Sequence, residues 1–328
     1  MRRILRNPGK YFRRSFWLTI KQVLHRRFRP HVLFGPAQLL RRVRGERPLQ
    51  ICVIPSRMNK YQYEEVYVAW KVFRFCNLNA VSSPDAADLA IHWEPATQFS
   101  ADGTTVEALQ ARMPVINAAC TDIRKSLVDR VFEEVFGYSV AVDPRTFHGV
   151  LLRKSENNGT HDAVLLDGPL EPEEGYVYQR LVTPTALQEG LADFRTFIVG
   201  AEVVAVNRNF RSANDRFRTV PVTGDVIPLD EAFTQAELDA IREFNQRMGL
   251  DFGALDIIRD GDDGRIYILD CNNTPTGPSA KLSIPRQLAI IKKVGAAFEK
   301  TYLSGLRAKR SSRVGAQPTP AEQTLTPQ

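Results

Sequence analysis

The chain is predicted to be an α/β lobe followed by a longer, strand-rich α+β part. Three observations predict it. Between residues 49 and 118 short apolar strands alternate with amphipathic helices, the order that builds a parallel sheet with helical crossovers. From Gly149 to Asp270 strand patterns dominate and turn signals separate them. The run from Gly253 to Pro275 reads as a β-hairpin with its acids on one face.

The elements follow in order. Residues 1–48 hold fourteen Lys/Arg and one acid, a net charge of +13, within a chain whose total is +7, so the other 280 residues carry −6. Basicity therefore belongs to this arm, and overall charge does not argue for sequence-specific nucleic-acid binding. A helix from Pro8 to about Arg29 places Phe12, Phe16, Ile20 and Val23 on one arc, interrupted by Arg13 and Arg27. That pattern suits an anionic membrane surface or an acidic polymer, and equally a helix packed on the protein's own body. Leu49–Pro55, Ala87–Trp93 and Pro114–Ala118 read as strands, Tyr63–Phe75 and Thr105–Arg112 as helices. A further helix starts near Asp122 and runs through Phe136.

Strands are then expected at 150–154, 163–166, 176–181, 194–199, 203–207, 253–258 and 265–270, with Gly200-Ala201 as a tight turn. Helices are expected over Gln235–Met248 and from Ser283 to about Ser304, and a Ser/Pro/Thr/Gln-rich tail follows. The four cysteines have no metal-ligand spacing and no dense disulfide framework, which fits a reducing, cytoplasmic setting. Cys271 reads as a packed thiol. No apolar run reaches the ~18 residues of a spanning helix, so any membrane contact expected of this chain is peripheral, at the inner face, through the arm.

The hairpin carries the most specific signal. Centring the fold-back near Asp263 puts Asp256 across from Asp270, with Asn272 two residues on and facing the same way. On this reading Ile266 and Ile268 share the face of Asp270. Directly opposed side chains stand about 4.5–5.5 Å apart at Cβ, and like charges there cost stability unless something neutralises them. Two carboxylates and an amide oxygen form a hard donor set suited to Mg²⁺; an exposed hairpin with ordinary surface acids is the plainer reading.

Other candidates are less specific. Lys154 ends an apolar strand before the polar turn 155–159, where a lysine and backbone N–H groups can meet a phosphate, although strand-end lysines are often simply solvated. Lys125 has the same two readings. In Tyr176–Val182, Gln179 and Arg180 sit among apolar residues on an edge able to pair with a base. Asp193 and Arg195 share a face of the next strand, and Arg208, Arg211, Arg216 and Arg218 follow. Such guanidinium density matches the needs of phosphoryl transfer; a solvated basic loop is the plainer reading. No GxxxxGK[ST] loop and no GxGxxG after a strand occurs. His92, His148 and His161 lack ligand spacing and read as structural.

Taken in order, Lys125, Lys154, Gln179-Arg180-Leu181-Val182, Asp193-x-Arg195 and Asp256…Asp270-x-Asn272 resemble the signature of the ATP-grasp superfamily, in its D-alanine ligase, glutathione synthetase and glutamate-adding branches. The resemblance implies a small parallel α/β pre-grasp lobe (49–124) and an ATP-grasp fold of two β-rich subdomains (125–305), with an arm (1–48) before and a disordered tail (306–328) after. It implies ATP and one or two Mg²⁺, with Mn²⁺ as a substitute. Lys125 and Lys154 would meet the phosphates, Gln179, Arg180, Leu181 and Val182 would line the adenine, and Asp193 would bind ribose. Asp256, Asp270 and Asn272 would hold metal, while Arg218 and Arg195 would stabilise anionic intermediates. The activity implied is carboxylate–amine ligation through an acyl phosphate; a kinase acting on a hydroxyl and a nucleotide-binding scaffold recruited by the arm are the alternatives. Asp270 stands where relatives often carry Glu, the phosphate lid is shortened to ENNGTHD, and Val220 stands near a common Asn.

Overall fold

The computed structural model describes residues 40–54 apart from 42 and 44, then 66–99, 103–160, 162–212, 223–279 and 282–315. The expected strand–helix alternation builds a parallel sheet. β1 (Leu49–Ile54), β2 (Leu78–Val81), β3 (Leu89–His92) and β4 (Val115–Ile116) are ordered β2-β1-β3-β4 and pair in parallel, with α1 (Val68–Phe75) and α2 (Gly103–Gln110) as crossovers. β2 is absent from the sequence reading. It is only four residues long (LNAV), too short for its alternation to stand out, and follows Asn77 in the left-handed region (φ 54).

α3 (Lys125–Phe136) leads to a three-stranded antiparallel sheet, β6-β5-β7, made of β5 (Gly149–Ser155), β6 (Val164–Gly168) and β7 (Tyr176–Arg180). The large antiparallel sheet follows. β8 (Ala186–Leu187) pairs with β9 (Gly190–Val199), and the main order is β11-β10-β9-β12-β13, with β10 (Glu202–Arg211), β11 (Thr223–Ile227), β12 (Phe252–Arg259) and β13 (Ile266–Asn272). α4 (Leu229–Ala232) and α5 (Gln235–Arg247) precede β12, and α6 (Ile284–Phe298) follows β13.

One apolar cluster unites Leu49, Ile51, Phe73 and Trp93 of the parallel lobe with Phe197, Ala205, Phe252, Ala254, Ile290 and Phe298. The parallel lobe and the large sheet therefore share a core. A second cluster joins α3 and α5 to the large sheet through Val128, Phe132, Phe244, Leu255, Ile257 and Ile268. Asn117, buried with φ 59, seams the two halves: its Nδ2 donates to Phe252 O (2.7 Å) and its Oδ1 accepts from the N–H groups of Phe252 and Asp251 (2.8 and 2.9 Å).

Three expectations change. β10 extends through Arg211 rather than ending near Asn207. The register between β12 and β13 shifts after Asp256, so Ile268 pairs with Ile257 and packs with the α3–α5 core instead of sharing the face of Asp270. Finally, α6 runs through a π-helical turn (Glu299–Leu303) into α7 (Ser304–Gly315), where a tail from residue 306 is expected. Arg307 reaches Glu299 and Cys76 O, and Arg310 reaches Pro48 O and lies 3.6 Å from Asp88. Polar residues that read as tail thus strap the helix to the first lobe.

Candidate active site

The hairpin places its acids as the alternation predicts. Asp256 and Asp270 are register partners across β12 and β13, and Asn272 pairs with Ala254. Arg195 lies opposite Asp256 on β9, and Asn207 opposite Arg195 on β10. A single row, Asp270–Asp256–Arg195–Asn207, thus crosses four strands. Two residues along the same strands is an apolar row, Ala254–Phe197–Ala205, that enters the shared core. Side chains two apart share a face, so the first lobe covers this face of the sheet at one end and leaves the other end open to a cavity of about 810 Å³ between the small and large sheets, within the usual range for small-molecule sites.

α3 and β5 bring the lysines to the same place. Lys125, at the first turn of α3 and 6% exposed, donates to Asn157 O (2.7 Å) and lies 3.9 Å from Asp270 Oδ1. Lys154 lines the cavity as well. Burial pushes the Asp270 carboxyl up, opposed by the charges of Lys125 and Lys154. It pushes the Lys154 ammonium down, opposed by Asp270 and Asp129. Each group is held toward its neutral form by desolvation, so a bound cation would favour ionised Asp270 and a bound anion protonated Lys154.

Behind Lys154 sits a clasp that the sequence did not reveal. Gln179 Nε2 donates to both oxygens of Asp129 on α3 at 2.8 Å, and both residues are buried. Burial lifts Asp129 to about 6 despite those bonds. Gln179 still lines the cavity, with Leu181 and Val182 just past the end of β7. Arg180 also lines the cavity, but its guanidinium lies over the Tyr267 ring (4.6 Å) and pairs with Asp260 and Asp263 (3.1 and 3.2 Å), bracing the hairpin turn, and its backbone N–H donates to Val140 O (2.8 Å).

Asp193 lines the cavity, but its carboxylate is already paired with Arg211 and accepts from Asn209 Nδ2 (2.8 Å). Arg195 Nη1 donates to both oxygens of Asp256 (2.8 and 2.7 Å), and Asn272 Nδ2 donates to Oδ2 (3.3 Å). Of the predicted guanidinium groups, Arg195 and Arg211 line the cavity. Arg208 extends to Glu231 (2.8 Å) and Arg211 to Asp193, while Arg216 and Arg218 lie outside the described residues. His92 is buried against Phe99 (3.9 Å between ring centroids) in the parallel lobe, and Cys271 is fully buried.

The turn expected as the phosphate lid is latched. Glu156 accepts from the N–H of Ser126 (3.3 Å) and from its hydroxyl, capping α3; Asn158 N donates to Thr97 Oγ1 (2.8 Å) and Asn158 Nδ2 to Cys271 O (3.3 Å).

Among the described residues no three His, Cys, Asp or Glu side chains converge. A metal here would rest on Asp256, Asp270 and the amide of Asn272. An ionised carboxylate has about four lone-pair directions, so Asp256 retains acceptor capacity beyond Arg195. Two carboxylates facing a cavity, with room for phosphate and water oxygens, fit Mg²⁺.

No protein-family model and no curated protein matches the sequence. Solved structures do. A D-alanine–D-alanine ligase from Bacillus anthracis complexed with ATP superposes with a TM-score of 0.52 at 11% identity, over 81% of this chain and 99% of that one. The ATP-grasp ligase PsnB, complexed with a phosphomimetic variant of its minimal precursor, Mg and ADP, gives 0.50 at 15% identity, over 76% of this chain and 98% of that one. At such identities the likeness is one of fold.

Proposed function

The chain has the ATP-grasp fold, and on that premise we propose that it is an ATP-dependent carboxylate–amine ligase. The observation that supports this best is the convergence, at one end of a single cavity, of Lys125 and Lys154 with the opposed pair Asp256 and Asp270. In this reading the adenine lies along Leu181 and Val182, the ribose reaches Asp193, and the phosphates lie against the two lysines. Magnesium on Asp256, Asp270 and Asn272 would neutralise charge developing on phosphate oxygens. A carboxylate oxygen of the first substrate attacks the γ-phosphorus as the bond to ADP breaks. The amine nitrogen then attacks the acyl carbon, the carbon–oxygen bond to phosphate breaks, and the nitrogen loses a proton. Arg195, held by Asp256, supplies positive charge beside both steps.

The test is product analysis over a panel of carboxylates with hydroxylamine as nucleophile. ADP and phosphate together with a hydroxamate are expected, because hydroxylamine intercepts an acyl phosphate. A stable phosphorylated product without hydroxamate would replace ligation by phosphorylation of a hydroxyl.

The arm is proposed to bind anionic surfaces. Arg41 lies 3.5 Å from both Glu46 and Glu299, so the end of the arm belongs to the body. Residues 1–39 hold ten Lys/Arg and no acid. Removing them should leave nucleotide binding intact and weaken binding to phosphatidylserine vesicles in a salt-sensitive way, at about 1 kcal/mol per basic residue near the surface. Loss of folding or of nucleotide binding would instead place those residues in the core.

A further inference from the structure

The polar wall of β9 and β10 has a direction. Asp193 only accepts hydrogen bonds when ionised, so Asn209 must turn its Nδ2 toward it (2.8 Å) and its Oδ1 away. That Oδ1 accepts from Asn207 Nδ2 at 2.5 Å. Two amides are thereby oriented by one carboxylate, and Asn207 Oδ1 is left as an acceptor. Asn207 is 2% exposed and lines the cavity, yet this oxygen meets no donor among the described residues. A buried carbonyl oxygen without a donor is costly, which makes such an atom a binding element to be accounted for. Gly224, opposite Asn209 on β11, helps leave this part of the wall uncrowded: a Cβ there would stand 3.5 Å from Asn207 Nδ2 and 2.9 Å from Arg208 O.

Position selects the ligand. Asn207 ends the row that begins with the acid pair, two strand spacings or about 10 Å from Asp256. The lysines lie at the opposite end, beside Asp270. A phosphate or an ionised carboxylate brings only acceptors, and both are repelled by an oxygen fixed in this way. The ribose hydroxyls, which can also donate, are placed on Asp193 in the ligase reading, and the remaining reactant that carries hydrogens on the atom to be joined is the amine. Resting on the ligase reading, we infer that Asn207 Oδ1 accepts a hydrogen bond from the N–H of the amine substrate, and that the Asp193–Asn209 relay fixes it in the accepting orientation. Asn207 touches substrate in this account, and Asn209 is a positioning residue.

The full-length protein, isotope-labelled at asparagine and saturated with MgADP, is titrated with methylammonium chloride while side-chain amide resonances are followed. The Asn207 signal, identified by its loss in Asn207→Leu, should shift saturably with methylammonium and stay still with tetramethylammonium, which has the charge without the N–H. Asn209→Ala, which keeps Asn207 but frees it to rotate, should weaken the response. No shift, or an equal shift with both cations, overturns the inference. In the hydroxamate assay Asn207→Leu should raise KM for hydroxylamine about tenfold and leave KM for ATP within about twofold. A fall in kcat with KM unchanged would assign Asn207 a structural role only and overturn the inference as well. The methylammonium titration decides the subsite and the hydroxamate decides the ligase chemistry, so the two readings can fail separately.

Discussion

Asp256 and Asp270 face each other across one hairpin but live in different company, and their variants should differ accordingly. Asp256 holds Arg195, whereas Asp270 is a carboxyl raised by burial. Asp256→Asn and Asp270→Asn should each reduce Mg²⁺-dependent nucleotide turnover by about 10²-fold or more, but only Asp256→Asn, which strips Arg195 of its partner, should lower the melting temperature. Unchanged turnover in both well-folded variants would remove the metal site. Asp129 gives a pH prediction. Its folded value of about 6 lies above the ordinary carboxyl value, so the folded state holds the proton more tightly. The stability this contributes is fully present below about pH 4 and lost as pH rises through about 6, on the order of 3 kcal/mol in all. Urea unfolding of wild type and Asp129→Asn from pH 4 to 8 should show the wild type losing ground to the variant as pH rises; parallel curves would contradict it. The hairpin acids were legible because period-two alternation and a turn fix their facing. The Asp129–Gln179 clasp was not: its members are 50 residues apart, and an acid inside an amphipathic helix carries no mark of burial.

Among elements, β10 shows why polar sites hide strands. The alternating residues Asn207, Asn209 and Arg211 made its second half read as loop, and these are the residues that face the cavity. The period-two signal was present, but Arg208 interrupts the apolar face before Phe210 resumes it. The β13 register shift was likewise invisible, since apolar residues fill either register equally well. The lid is an element with a specific latch. Glu156→Ala removes the cap on α3, and such caps contribute about 1 kcal/mol. Amide exchange at Asn157 and Asn158 should therefore accelerate in the variant while exchange in β12 stays unchanged. Equal lid protection in both proteins would show that Asn158's bonds to Thr97 and Cys271 suffice.

At the scale of the molecule, core is distributed unevenly. Both large clusters run through the large sheet, whereas the β6-β5-β7 sheet leaves Val150, Val164, Leu165 and Tyr176 exposed. Regions with little buried apolar contact open most readily. The small sheet should exchange its amides fastest among the described strands, and MgATP should protect it more than it protects the parallel lobe. Protection confined to the parallel lobe would place the nucleotide elsewhere. The alternation of strands and helices foretold the parallel sheet, but not that it shares one interior with the large sheet, because no periodicity records a contact between distant segments. Asn117 is such a contact, and it bears on biosynthesis. Its partner Phe252 lies 135 residues later, which at ribosomal speed means a wait of roughly 7–27 s. Through that interval the nascent first lobe exposes the apolar surface that Phe252, Ala254 and Phe298 will cover. Residues 49–124 expressed alone should therefore bind a holding chaperone or an apolar dye that the full chain leaves unbound.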